Sequence, residues 1–365
     1  MGARKLAFDK VMFTTTIALV LGGICMVYSA SGLVAEREFS NPHHYLLKQT
    51  VAAGIGLLLM VGAMGVDYRR YNRPSLVFSV MAGTVLLLLL VLVIDPERDF
   101  QRWFRFGPFA LQPSEGAKLS VILFLAYWLA QRAEAVNSLR QVLLPTAALL
   151  GLLIALIVVQ PDLGTAIVLG LIAVAMLFLA GLRSAWIIAT AAAVTPVLGV
   201  MVWQVEYWRI RILAFIDPWR DQLGYGFQSI QSLIAIATGG LTGVGFVASH
   251  QKRFFIPKPH TDFIFAVLGE ELGLLGCLTL LALFSLLVWR GLRAALRAPD
   301  RFGFFLAAGL TLQIALQALL NISIVLKLLP TKGMPLPFIS SGGSSLLVTL
   351  AAVGVLLNIS QHDDG

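Results

Sequence analysis

The side chains best suited to chemistry stand in the stretch PKPHTDFIFAVLGEELG, residues 257–273. There His260, Thr261 and Asp262 directly precede an apolar run, and Glu270 and Glu271 lie inside it. A carboxylate at such a boundary either caps the helix that follows or takes a proton from a hydroxyl. An ordinary carboxylate is a weak base at neutral pH, and partial burial strengthens it. Asp262 therefore reads as a cap or as a general base at the mouth of a cavity. His260 has no second ligand near it in sequence and reads as a hydrogen-bonding group rather than a metal ligand. Glu270 and Glu271 lie about two to three helical turns further on. They read as groups paired or hydrogen-bonded inside a bundle, not as catalysts.

The elements that must position these groups are membrane helices. Of the 365 residues, 58% are hydrophobic and 13% charged, against about 25% charged in an ordinary soluble domain. Repeated apolar runs near 20 residues predict an all-α, polytopic membrane protein with a single membrane domain over residues 1–365. Ten spans are expected, at roughly 11–31, 49–66, 75–94, 116–131, 142–159, 163–181, 184–203, 263–289, 303–326 and 341–360. The first, following Arg4, Lys5 and Lys10, reads as a retained signal-anchor.

With the N-terminus cytoplasmic, thirteen Lys and Arg fall in cytoplasmic segments and seven in short external loops. Both termini are then expected inside and the long loop 204–262 outside. Within that loop, VEYWRIRILAFIDPWRD (205–221) suits an interfacial helix, and SIQSLIAIATGGLTGVGFVA (229–248) a re-entrant or surface-lying segment. The glycines of the second stretch are not a phosphate loop, because no strand precedes them and no G-K-[ST] follows. The net charge of +8 belongs to loops that set topology, so no nucleic-acid partner is expected. Cys25 and Cys277 are 252 positions apart in apolar runs and imply neither metal nor disulfide.

In this topology four helices start on the outside with a polar, proline-bearing sequence. These are LQPSEGAK (111–118), QPDLGT (160–165), PKPHTD (257–262) and LPTKGMPLPFISSGGSS (329–345). Proline and a capping residue at a helix start are ordinary chemistry taken singly. Four on one side place the working face outside. Helix N-termini suit anions, and Arg102, Arg105, Lys118, Lys252, Arg253 and Lys332 would add charge for a phosphate or diphosphate. Glu115 and Lys118, three apart on one helical face, are expected to pair. SSGGSS is not a G-x-S-x-G nucleophile elbow.

The chain resembles the SEDS family of bacterial membrane proteins, to which RodA and FtsW belong. The resemblance covers nearly the whole chain and rests on RWFRFGPFALQPSEGAKL (102–119), QPDLGT, GFQSIQSLIAIATGGLTGVG (226–245), HTDFIFAVLGEELG (260–273) and LLPTKGMPLPFISSGGSSLL (328–347). It implies a ten-helix glycosyltransferase that polymerises lipid II into peptidoglycan on the outer face of the bacterial cytoplasmic membrane. It also implies a class B penicillin-binding transpeptidase as partner, among other divisome or elongasome proteins. The family's essential aspartate maps onto Asp262. PTKG and LPFIS, with DPW and GY in 217–225, lean toward the FtsW-like division branch over elongation. Two positions depart from the family pattern: Lys258 and Pro259 stand where an acidic residue usually precedes His-Thr-Asp, and Ser341 replaces the usual tyrosine.

The expected mechanism makes Asp262 the base toward the acceptor sugar. Arg102, Glu115, Lys118, Gln160, Asp162, His260, Thr261, Lys332, Ser340 and Ser344 are expected to line the undecaprenyl diphosphate-linked substrates. The diphosphate could bring a magnesium or manganese ion, but the sequence shows no dedicated metal cage. Two rival readings are a flippase for lipid-linked precursors and a silent scaffold for a transpeptidase. A flippase needs polar groups reachable from both sides, which the one-sided helix starts disfavour.

Overall fold

The computed structural model describes residues 8–94, 102–106, 109–221, 224, 226–252 and 259–362. Ten long helices fall on the ten expected spans. They are α1 (Lys10–Phe39), α2 (His44–Met64), α3 (Pro74–Ile94), α4 (Pro113–Arg132), α5 (Leu144–Val159), α6 (Leu163–Leu179), α7 (Ser184–Gln204), α10 (Ile264–Leu296), α11 (Arg301–Val325) and α12 (Gly343–Ser360). Two shorter ones, α8 (Glu206–Ile216) and α9 (Phe227–Gly239), occupy the long loop between α7 and α10. Among the described residues, seven helices are long and apolar enough to cross a membrane. Of the others, α6 is apolar but only 17 residues long, and α4 carries Glu115, Lys118 and Arg132. The protein is a multi-pass, all-α membrane protein.

One element went unexpected. β1 (Phe104–Phe106) and β2 (Phe109–Leu111) form an antiparallel hairpin with Phe104 opposite Leu111. Three residues per strand are too few for a period-two pattern to stand out beside 20-residue apolar runs.

Helices α11 and α12 are the most buried. α12 lies along α2, α11 against α4 and α10, and α1 and α9 flank α10. Helix α7 differs: none of its described residues is buried, and Ile188 and Trp203 are 68% and 76% exposed. Such a helix is solvated by lipid on nearly every side.

Helix α10 is broken at Gly273, whose φ is +64°. The glycine-rich turn after α9 fills the break: the N–H groups of Val244 and Gly245 donate to the carbonyls of Glu270 and Glu271 at 2.9 and 3.1 Å. Those of Leu274 and Leu275 donate back to Gly240 and Leu241 at 2.9 and 3.1 Å. The turn thus supplies the bonds that the broken helix forfeits, as buried backbone requires. A Cβ on Gly273 would stand 2.4 Å from the Gly243 nitrogen in a conformation that L-residues avoid. Gly273→Ala is therefore expected to destabilise the protein by at least about 2 kcal/mol. Gly62→Ala in α2, with open space around it, is expected to be neutral. Thermal midpoints in detergent check both, and equal midpoints would mean the turn does not brace the break.

The same region explains the two interior glutamates. Glu270 accepts from the N–H groups of His250, at 2.9 Å, and Gln251, at 3.2 Å, and from the Ser249 hydroxyl. Glu271 accepts from Lys252 Nζ at 2.7 Å and from Ser29 Oγ of α1 at 2.6 Å. Both carboxylates are fully buried, and their role is to latch residues 249–252 onto α10 and α1.

Candidate active site

The N-terminal ends of α4, α6, α10 and α12 meet in space, joined by side chains of the four polar starts. Asp162 caps α6, its Oδ1 accepting from the Thr165 N–H at 3.3 Å. Its Oδ2 accepts from Gln112 Nε2 at 2.9 Å and Ser114 Oγ at 3.0 Å, which binds α6 to α4. Ser344 ties α12 to the same place: its hydroxyl donates to the Ala110 carbonyl at 2.8 Å and accepts from the Gln112 N–H at 3.0 Å.

The α10 start is fastened to the loop before α12. Ser340 Oγ donates to the Thr261 carbonyl at 2.6 Å, and the Ser341 N–H to the His260 carbonyl at 2.9 Å. Ser341 acts here through its backbone, so this bond is indifferent to the departure from tyrosine. The His260 ring packs on Tyr45 of α2 with centroids 4.1 Å apart and is buried. Asn321 of α11 completes the fastening, its Nδ2 donating to the carbonyls of Asp262 at 2.9 Å and Met334 at 2.6 Å.

Asp262 is thereby held by its backbone. Its carboxylate lies against Gly333, where a Cβ would come within 2.8 Å of Oδ2. The N-cap position of α10 is Phe263, one residue further on. Asp262 is half-buried, whereas Glu115 and Asp162 are 3% and 4% exposed. Of these three acids, only Asp262 combines a fixed position with access for a substrate.

The cations divide differently from the sequence expectation. Lys118 pairs with Glu115 as expected, Nζ to Oε2 at 2.9 Å, but it is 2% exposed and also donates to Gln317 Oε1 at 2.7 Å. Gln317 Nε2 in turn donates to the Pro335 carbonyl at 3.0 Å and to Ser345 Oγ at 3.2 Å. This pair braces the loop before α12 from beneath. Arg102 donates through Nε to the Gln160 carbonyl at 2.6 Å and through Nη2 to that of Pro161, closing the C-terminal end of α5. Gln160 itself is turned away, its Nε2 on the Leu88 carbonyl of α3 at 3.0 Å. Lys252 belongs to the glutamate latch, Arg105 is exposed on β1, and Arg253 lies outside the described residues, as does Lys258.

Lys332 remains at the cluster. Its ammonium lies 5.6 Å from the Trp208 ring centroid. Burial, then the positive charge of Arg211, push its pKa down to about 8, with Asp162 partly opposing them. Arg211, on α8, donates through Nη1 to the Thr331 carbonyl at 2.9 Å. So α8 docks on the loop that carries Lys332, beyond the interfacial role expected for it. Sequence reading missed Gln112, Arg211, Gln317 and Asn321. For the two in α11 a signal existed, since amides in an apolar helix need partners.

Fold and cluster together define a multi-pass membrane protein whose polar groups converge at one end of four helices. The family described as cell cycle protein, which takes in FtsW, RodA and SpoVE, matches residues 9–365. A probable peptidoglycan glycosyltransferase FtsW of Geobacter metallireducens is 44% identical over 361 residues, 98% of this chain and 96% of that one. Stage V sporulation protein E of Bacillus subtilis is 41% identical over 99% of both chains. Among solved structures, a chain of a peptidoglycan synthase complex matches with a TM-score of 0.80 and 33% identity, covering 97% of this chain and 98% of that one. RodA of Thermus thermophilus gives a TM-score of 0.70 and 29% identity over 99% of both chains. The chain belongs to the FtsW, RodA and SpoVE family.

Proposed function

We propose that this protein is a peptidoglycan glycosyltransferase of cell division that joins lipid II units, with Asp262 as the base. The observation that carries the assignment is the half-buried Asp262, its backbone carbonyl held by Asn321 and its carboxylate against Gly333, where four helix starts converge. The acceptor sugar hydroxyl attacks the donor's anomeric carbon while Asp262 takes its proton. The anomeric C–O bond breaks and its electron pair leaves with the undecaprenyl diphosphate. Lys332, Arg211 and the converging helix N-termini stabilise that leaving charge. Glu115, Lys118 and Gln317 position the loop, and Arg102 the α5 end.

The lipid tails enter laterally, and the thinly packed α7 supports an opening on its side of the bundle. The polymerising face is external and both termini cytoplasmic, in keeping with the one-sided helix starts and the Lys and Arg placement. A class B transpeptidase is the proposed partner, which the likeness to a chain from a complex of polymerisation and crosslinking supports. Among the described residues no three His, Cys, Asp or Glu side chains group to hold a metal. A magnesium or manganese ion is proposed only as a companion of the substrate's own phosphates.

Polymerisation of labelled lipid II by the purified protein with its transpeptidase tests this function. Glycan chains are expected. Lipid flipping across vesicles without chains would move the protein to the transporter class.

A second expectation concerns pH. Lys332 is cationic below about pH 8 and neutral above it, so its hold on the diphosphate weakens as pH rises. KM for lipid II is expected to rise between about pH 7 and 9 in the wild type. It should stay flat in Lys332→Arg, whose guanidinium remains charged. Parallel rises in both would remove Lys332 from the diphosphate site.

A further inference from the structure

At the end of the bundle opposite Asp262, the start of α1 meets the ends of α10 and α12 around a cavity of about 330 Å³. Asp9 knits the three helices. Its Oδ1 caps α1 by accepting from the Met12 N–H at 2.9 Å, and its Oδ2 accepts from Arg290 Nε at 2.6 Å. Its own N–H donates to Ser360 Oγ of α12 at 3.3 Å. Lys10, Arg293 and Arg297 also line the cavity, and Asp9 is the only acid among its described lining residues. One carboxylate therefore faces four cations. Asp9 holds Arg290 through Nε, and among the described residues the Arg293 side chain makes no hydrogen bond or ion pair.

Arginines at the end of α10 balance the helix dipole and suit a membrane flank. That accounts for their sign. It does not account for a cavity in which cations from two helices converge on one already neutralised pair. At roughly 100° per residue, Arg290, Arg293 and Arg297 share one stripe of α10. The adjoining stripe holds Trp289, Leu292 and Leu296, which are 56%, 40% and 76% exposed. Cations in a pocket beside an exposed apolar strip, at the end of a membrane helix, match a phospholipid: phosphate in the pocket, acyl chains along the strip. An acidic protein segment would use the cations and leave the strip uncovered.

We propose that this cavity binds the phosphate headgroup of an anionic phospholipid, with Arg290 and Arg293 on the phosphate oxygens. Guanidinium nitrogens already oriented by Asp9 are suited to two-point contact with phosphate.

The full chain in phosphatidylcholine nanodiscs doped with spin-labelled phosphatidylglycerol tests this. Wild type is expected to enrich phosphatidylglycerol around itself. The Lys10→Gln, Arg293→Gln double variant, which leaves the Asp9–Arg290 pair intact, should lose roughly fivefold in enrichment per charge removed. Arg293→Lys, keeping the charge, should retain most of it and guards against a loss caused by misfolding. Equal enrichment in wild type and the double variant overturns the proposal. So does displacement of the labelled lipid by equimolar inorganic phosphate, which would make this a site for soluble phosphate, or by a polyglutamate peptide, which would make it a protein-docking site. The readout is independent of glycan polymerisation, so its outcome is separate from that of the catalytic assignment.

Discussion

Asp262→Asn is expected to abolish glycan polymerisation, with a loss on the order of 10²–10⁴-fold or more, while the protein folds as before. The amide has the shape of the carboxylate and takes up no proton under these conditions. The Asn321 bond to the backbone carbonyl of residue 262 survives the exchange, and Gly333 leaves room beside the side chain. A helix cap would barely register the change, because Asn caps about as well as Asp. The experiment thus separates the two readings that the sequence leaves open. The measurement is lipid II polymerisation with the transpeptidase held constant, alongside the thermal midpoint. An unchanged midpoint with lost activity supports the base. Retained activity would refute it.

The buried Glu115–Lys118 pair should give the largest effects on stability. Lys118→Met leaves the Glu115 carboxylate buried without its cation, and Glu115→Gln leaves the ammonium without its anion. Each single change is expected to cost on the order of 3–5 kcal/mol. The double variant should recover most of that, because two neutral side chains of similar size need no charge compensation. Activity separates bracing from direct contact with substrate. Bracing of the Pro335 and Ser345 region through Gln317 predicts a lower kcat with KM for lipid II little changed. A rise in KM at full stability would instead put Lys118 on the diphosphate. Thermal unfolding and steady-state polymerisation of the four proteins complete the cycle.

What the sequence determined by itself is local or governed by the solvent. Apolar runs of membrane-spanning length fixed the ten long helices, because backbone in hydrocarbon has to satisfy its own hydrogen bonds. Pro113, Asp162 and Gly343 marked helix starts, since caps act within a turn. The Glu115–Lys118 pair was legible because residues three apart share a helical face. Tertiary structure decided the partners that lie far apart in the chain. It gave Lys252 to Glu271 and Ser29, set Arg102 on the α5 carbonyls, and docked Arg211 on the loop of Lys332. It also converted the glycines around 239–245 into the patch for a broken helix. A lysine or arginine on an external loop looks the same in sequence whether it waits for a phosphate or closes a helix end. Only the packing of the helices brings an acceptor within 3 Å of one cation and leaves another beside the site.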